Sequence, residues 1–329
     1  MAIKLALLGA GRIGKAHARA VSANPDAELA AVADAMPAAA KALADQYGCP
    51  VATIDEIEED ASVDGVIICT PTPTHADLIE QFARAGKAIF CEKPIDLDAD
   101  RVRQCLTVVE KTGASLMVGF NRRFDPHFAS VKKAITDGKI GDVELVQITS
   151  RDPAPPPIDY IKVSGGIFRD MMIHDFDMAR FLLGEEPVMV SASGSVLVDP
   201  AIGEAGDVDT ATATLTTASG KQCVITNSRR ASYGYDQRVD VHGSKGAVSI
   251  ENERETSLEL ATKAGYTRAP LLDFFMERYE KAYAIEIAAF VSTVRDGHAP
   301  SPDGNDGLKS LLIADAAVKS LQEGRPVAV

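Results

Sequence analysis

The stretch Ile3-Lys4-Leu5-Ala6-Leu7-Leu8-Gly9-Ala10-Gly11-Arg12-Ile13-Gly14 joins a short apolar run to glycines in the order G-x-G-x-x-G. An apolar run this short, bounded by glycine, reads as a buried strand, and the Ala-rich segment Ile13–Ala23 after it reads as a helix. A second apolar run, Leu29–Ala33, ends on Asp34, twenty residues beyond Gly14. Strand, glycine turn, helix and a strand closed by an acid form the dinucleotide-binding arrangement. The first glycine permits the tight turn, the second lets backbone approach a pyrophosphate, and the third lets helix pack on strand. The pyrophosphate then sits at the positive end of the helix. Gly9, Gly11, Arg12 and Ile13 are therefore candidate cofactor contacts, and Asp34 is the candidate acceptor for ribose hydroxyls. A carboxylate at this place repels a 2′-phosphate, and Ala35, Met36, Pro37 and Ala38 supply no arginine to hold one. NAD is expected over NADP. The plainer alternative, a glycine turn without a ligand, is outweighed by the βαβ context.

Outward from this motif the pattern repeats. Apolar runs at Val66–Cys69, Ala88–Cys91 and Leu116–Phe120 are predicted strands. They alternate with predicted helices over Pro37–Tyr47, His75–Ala85 and Ala99–Lys111. Buried strands separated by helices imply a doubly wound parallel sheet, a Rossmann domain over residues 1–122. The remainder, 123–329, changes character. Glu144–Thr149, Val188–Val198, Ala211–Thr217, Gln222–Ser228, Arg238–His242 and Ala247–Glu251 read as strands, several alternating apolar with polar. An α+β domain on a mostly antiparallel open sheet is expected. Helices are expected over Phe274–Arg295 and Asn305–Gln322, and these could pack back on the first domain. Pro155–Pro156–Pro157 reads as a rigid loop.

Composition narrows the function. Of 329 residues, 46% are apolar and 25% charged, as in ordinary globular proteins. Lys and Arg number 34 against 47 Asp and Glu, a net charge of −13. Nucleic-acid binding needs a basic face, and only the pairs Arg122–Arg123 and Arg229–Arg230 offer one, so no nucleic-acid partner is expected. No run approaches the roughly 20 apolar residues of a membrane helix, and no signal peptide is legible. The five scattered cysteines form no C-x-x-C pair, which predicts a reducing compartment and a cytoplasmic protein.

Chemistry gathers at the predicted carboxyl ends of strands, where open parallel sheets bind ligands. Thr70, Pro71, Thr72 and His75 follow one strand and are candidate cofactor contacts, with Thr74 placed to cap the next helix. Glu92, Lys93 and Pro94 end the next strand. The Lys93 ammonium there could hold a substrate hydroxyl and favour its developing alkoxide, and its bond to proline is a candidate for cis geometry. Farther on, Asp170 and His174 stand four apart and would share a helix face. Oxidising an alcohol needs a base near neutral pH, which suits histidine. A helix-terminal acid and a structural histidine are the plainer alternative for that pair. His174, Asp175 and Asp177 lack a fourth ligand at metal-site spacing, so no metal is expected. No G-x-S-x-G elbow of a serine hydrolase occurs.

Taken together, G-A-G-R-I-G at 9–14, C-T-P-T-P-T-H at 69–75, E-K-P at 92–94 and G-G-x-x-x-D-x-x-x-H at 165–174 resemble the glucose–fructose oxidoreductase/inositol dehydrogenase/MocA family. The resemblance spans essentially the whole chain. V-G-F-N-R-R-F-D-P at 118–126 and Y-G-Y-D at 233–236 are similar to its inositol-oxidising branch. It implies NAD-dependent oxidation of myo-inositol to a 2-keto inosose. The same chemistry on scyllo-inositol or a pyranose, and a non-catalytic NAD-binding regulator, are the alternatives. It implies that His174 is the base, that Asp170 positions it and that Lys93 binds the reacting hydroxyl, in preference to the structural alternative. It also implies that Asn121, Glu92 and Lys93 lie against the cofactor, that Arg122, Asp170 and His174 lie against substrate, and that Tyr233 or Tyr235 touches substrate. Some family members carry a histidine where this chain reads Ser150, Arg151, Asp152, Pro153, so Asp152 would meet a ring hydroxyl instead. A homotetramer packed through the open sheet is the expected assembly.

Overall fold

The computed structural model describes residues 2–329. The chain forms two compact units, one running to Phe124 and resuming over Glu280–Leu311, the other made of Asp125–Tyr279 and Leu312–Val329.

The first unit opens with β1 (Ile3–Leu8), α1 (Arg12–Ser22), β2 (Ala27–Ala33), α2 (Pro37–Tyr47), α3 (Ile54–Glu59) and β3 (Gly65–Ile68). It continues with α4 (His75–Arg84), β4 (Ala88–Glu92), α5 (Ala99–Thr112) and β5 (Leu116–Gly119). All strand pairs are parallel, in the order β2-β1-β3-β4-β5. The strand order reverses beside β1, so a crevice opens at the carboxyl ends of β1 and β3. β3 and β5 are buried at every residue, as expected of strands covered on both faces.

The second unit comprises α6 (Pro126–Thr136), β6 (Val143–Arg151), α7 (Ile158–Ser164), α8 (Gly166–Asp170), α9 (Ile173–Leu183), β7 (Pro187–Ser195) and α10 (Pro200–Glu204). Then come β8 (Thr210–Thr217), β9 (Gln222–Ser228), β10 (Asp236–Gly243), β11 (Gly246–Ile250), β12 (Glu259–Thr262), β13 (Gly265–Arg268) and α11 (Phe275–Arg278). The chain closes with α12 (Glu280–Asp296), α13 (Gly304–Glu323) and β14 (Val327–Ala328). A seven-stranded sheet runs β11-β10-β6-β9-β8-β7-β14. β6 and β9 pair in parallel and the other neighbours are antiparallel, which matches the expected mostly antiparallel sheet. Burial alternates along β8, β9 and β10, so one face is covered and the other open. α9 lies on β6 and β9, with nine of its residues buried.

One predicted helix differs from the structure. The helix read over Phe274–Arg295 is broken at Tyr279, which is 2% exposed, its ring held against Phe128 and Tyr235. From Glu280 onward α12 belongs with the first unit, where Ile287, Phe290 and Val291 join the core of Leu5, Leu7, Ile67 and Phe90. The basic pairs are not surface patches: Arg122 is 5% and Arg229 1% exposed. No helix among the described residues is long and apolar enough to cross a membrane.

Candidate active site

In the first unit the glycine motif is explained atom by atom. Gly9 has φ +102°, and a Cβ there would lie 2.6 Å from the carbonyl oxygen of Cys69. A Cβ on Gly14 would lie 1.9 Å from the Gly9 carbonyl oxygen, so helix and strand close together only with glycine at that place. Gly11 differs. It is the N-cap of α1 at φ −70°, with nothing within 4 Å of where a Cβ would stand. No side chain caps α1 and no acid lies in its first turn, so its N–H groups and its positive end are offered to an anion. This open cradle fits a pyrophosphate. Arg12 is exposed and Ile13 half-buried on the turn that follows. Asp34 accepts from the Ala10 N–H at 2.6 Å and from the Met36 N–H at 2.7 Å. These bonds fix its carboxylate beside the loop and leave lone pairs for ribose hydroxyls.

The neighbouring strand ends complete the edge. Thr70 and Thr74 hydroxyls are 2.7 Å apart, and Thr74 donates to the Pro71 carbonyl at 2.8 Å. The expected Thr74 cap on α4 is therefore absent, because its hydroxyl is turned back into its own loop. Pro71 is exposed and Thr72 half-buried. His75 is 2% exposed, its ring nitrogens 2.7 and 2.8 Å from the carbonyl oxygens of Thr70 and Pro94. It serves as a strut between two loops. Lys93 is half-buried after β4, and its bond to Pro94 is cis. Glu92 is held from behind by His17, Nε2 to Oε1 at 2.6 Å. Asn121 and Arg122, buried after β5, share this edge, and the Asn121 Nδ2 has no protein partner.

In the second unit Asp170 and His174 do not share one helix. α8 ends at Asp170 and α9 begins at Ile173, with Met171 and Met172 turning between them. Asp170 is gripped on both oxygens. Tyr160 of α7 donates its hydroxyl to Oδ1 at 2.9 Å, and Nη1 of Arg229 lies 3.6 Å from Oδ2. His174 stands half-buried in the first turn of α9. The next residue, Asp175, is wholly buried and accepts from Ser150 Oγ at 2.6 Å and Asn227 Nδ2 at 2.8 Å. α9 is thereby pinned to β6 and β9 beside His174. Asp152 is half-buried past the end of β6, its N–H donating to the Ser228 carbonyl at 3.0 Å.

The two tyrosines of Y-G-Y-D part company. Tyr235 is 7% exposed and stacks edge-on against Tyr279, whereas Tyr233 is half-exposed. The Tyr233 hydroxyl accepts from Arg151 at 2.6 Å and donates to Asp236 at 2.7 Å. Burial and that bond to Asp236 push the Tyr233 phenol up. Burial alone would raise Asp236, but hydrogen bonds from Arg238, Asn252 and Tyr233 outweigh it and hold its carboxyl low. Tyr233, Asp236, Arg238, Asn252 and Arg254 line an open cavity of about 590 Å³. Neither Asp170 nor His174 lines it.

Residues 3–120 match the model of an oxidoreductase family with an NAD-binding Rossmann fold, and residues 128–249 match the GFO/IDH/MocA C-terminal domain. The chain belongs to the GFO/IDH/MocA oxidoreductase family. The family, fold and NAD cofactor expected from the sequence are borne out. An inositol 2-dehydrogenase of Rhizobium meliloti is 67% identical over 329 residues, all of both chains. A scyllo-inositol 2-dehydrogenase (NAD(+)) of Bacillus subtilis is 37% identical, with 99% of this chain and 96% of that protein covered. The crystal structure of a myo-inositol dehydrogenase from Corynebacterium glutamicum superposes with a TM-score of 0.96 at 44% identity, covering 100% and 99% of the two chains.

Within this family fold several residues escaped sequence reasoning. Tyr160, Asp207 and Arg229 surround Asp170 and its turn, and His17 and Glu286 lie behind Glu92. Glu286 is wholly buried, and burial followed by the charge of Glu92 pushes its carboxyl well above the usual range. A histidine or glutamate on the apolar face of a predicted helix was the available signal.

Proposed function

We propose that this family member is an NAD-dependent inositol 2-dehydrogenase. It oxidises one ring hydroxyl of myo-inositol to the ketone. The observation that carries the reading is the open anion cradle at Gly11 beside Asp34, in a chain so alike over its full length to a named inositol 2-dehydrogenase. Bound NAD supplies the hydride acceptor. The chain itself binds, orients and manages the proton. Lys93 holds the reacting oxygen and favours negative charge on it as the C–H bond breaks. His174 takes the hydroxyl proton, and Asp170 fixes the orientation that this transfer needs.

Gly9, Gly11, Arg12, Ile13, Asp34, Thr70, Pro71, Thr72, Glu92 and Asn121 hold the cofactor in this reading, with His75 shaping their loop. Arg122 and Asp152 contact ring hydroxyls, and of the two candidate tyrosines the more exposed Tyr233 does so. The first unit, with a boundary near 122, is the cofactor domain, and the second recognises substrate. The reading extends to a cytoplasmic homotetramer, in which other copies cover the open sheet face that exposes Val188 and Met189.

The test is reduced-nicotinamide absorbance with purified protein, NAD and myo-inositol, repeated with scyllo-inositol and glucose. Turnover on myo-inositol that is lost in Lys93→Ala and in His174→Ala is expected. Turnover only on scyllo-inositol or glucose would reassign the substrate, and none on any ring polyol would sink the reading.

A further inference from the structure

Arg229 follows β9 and is one of the largest fully buried side chains, 1% exposed. Its guanidinium lies between two carboxylates, Nη1 3.6 Å from Asp170 Oδ2 and Nη2 donating to Asp207 Oδ2 at 3.4 Å. Asp207 in turn accepts from the Ile167 N–H at 3.0 Å, at the start of α8. A Cβ on Gly166 would lie 2.7 Å from Asp207 Oδ1, and Gly166 has φ +79°. Glycine at 166 thus leaves room for the Asp207 carboxylate at the start of α8. The chain of contacts runs from Gly166 through Asp207 and Arg229 to the carboxylate of Asp170.

A buried guanidinium is costly unless it is matched by acceptors, and it offers a rigid fork that a lysine lacks. α8 is only five residues long and ends on Asp170, so the helix alone cannot fix that side chain. Tyr160 reaches Asp170 from an exposed face, while Arg229 reaches it from the interior. We infer that Arg229 is a positioning residue for the reaction, holding the Asp170 carboxylate in its working orientation through a buried Asp207–Arg229–Asp170 bridge. This rests on the reading in which Asp170 serves catalysis.

The experiment is a double-mutant cycle on the full-length protein with NAD and myo-inositol, with kcat, both KM values and Tm measured. Arg229→Met should lower kcat by at least about tenfold, as a misaligned catalytic group does. The KM for NAD should stay within about twofold, since Arg229 touches no cofactor residue, and on an Asp170→Asn background the same change should cost almost nothing further. An equal loss on both backgrounds would overturn the inference, as would wild-type kcat in Arg229→Met. Where Arg229→Met does not fold, Arg229→Lys replaces it in the same cycle. A lowered kcat at near-native Tm that vanishes on the Asp170→Asn background supports the bridge, and wild-type kcat overturns it. Wild-type turnover in Asp170→Asn would be a different failure, removing Asp170 from the site itself.

Discussion

The Tyr160 hydroxyl donates to Oδ1 of Asp170 at 2.9 Å, from a residue that is itself half-exposed. If Asp170 also binds a ring hydroxyl in the proposed reaction, tyrosine and substrate would compete for that oxygen. Tyr160→Phe removes the competitor without removing the ring. The KM for inositol should fall about threefold, the value of one net hydrogen bond near 0.7 kcal/mol, with kcat almost unchanged. Steady-state kinetics checks this, and a fall in kcat at constant KM would instead make Tyr160 an orienting partner.

The three motif glycines separate fold from cofactor. Gly14→Ala places a Cβ 1.9 Å from the Gly9 carbonyl, so α1 must move off β1 and stability should fall by about 2–4 kcal/mol. Gly11→Ala meets nothing within 4 Å at φ −70°, so its folding stability should fall by no more than about 1 kcal/mol, the N-cap preference for glycine over alanine. The added methyl does fill the anion cradle, and the KM for NAD should rise by about tenfold or more. Denaturation and NAD titration of the two variants read the two effects apart. Unchanged NAD affinity in Gly11→Ala would move the cradle elsewhere.

Asp175 predicts a loss of a third kind. Its buried carboxyl accepts from Ser150 and Asn227, and it follows His174 directly in the chain. Asn227→Ala removes a buried donor to Asp175 and should cost about 1–3 kcal/mol. Because α9 is loosened at its first turn, kcat should fall with stability while the KM for NAD holds. A Tm drop with kcat per folded molecule unchanged would restrict Asp175 to the scaffold.

How legible this was in the sequence differs between the units. The parallel strands are buried on both faces, so each read as an unbroken apolar run, and the glycines and Asp34 fell at motif spacing. The second unit hid more. The four-residue spacing of Asp170 and His174 suggested one helix, but both Met171 and Met172 turn into the core, at 6% and 0% exposure. The turn at Met171 and Met172 separates α8 from α9, and neither residue type marks a helix end in the sequence. Arg229 looked like half of a surface pair because nothing in its neighbours marks a buried arginine. The partners that bury it, Asp170 and Asp207, are far away in sequence.

Glu286 carries a pH signature that its position on α12 makes testable. Burial first, and then the charge of Glu92, raise its folded pKa well above the unfolded one, which is about 4.3. Between those two values the folded protein binds the proton that the unfolded chain releases. Stability contributed by this group is therefore fully present below the unfolded pKa and is lost as pH rises toward the folded one. Glu286→Gln keeps the shape and cannot ionise in either state. Near pH 4 the wild-type group is largely protonated when unfolded as well, so the two proteins should denature almost alike. As pH rises from the unfolded pKa toward the folded one, the wild type must hold a proton that its unfolded chain has lost or ionise while buried, so the glutamine variant should gain in relative stability. Urea midpoints measured for both proteins across that range decide the matter. A stability difference that does not change with pH would mean Glu286 is ionised in the fold, with a compensating cation close to it.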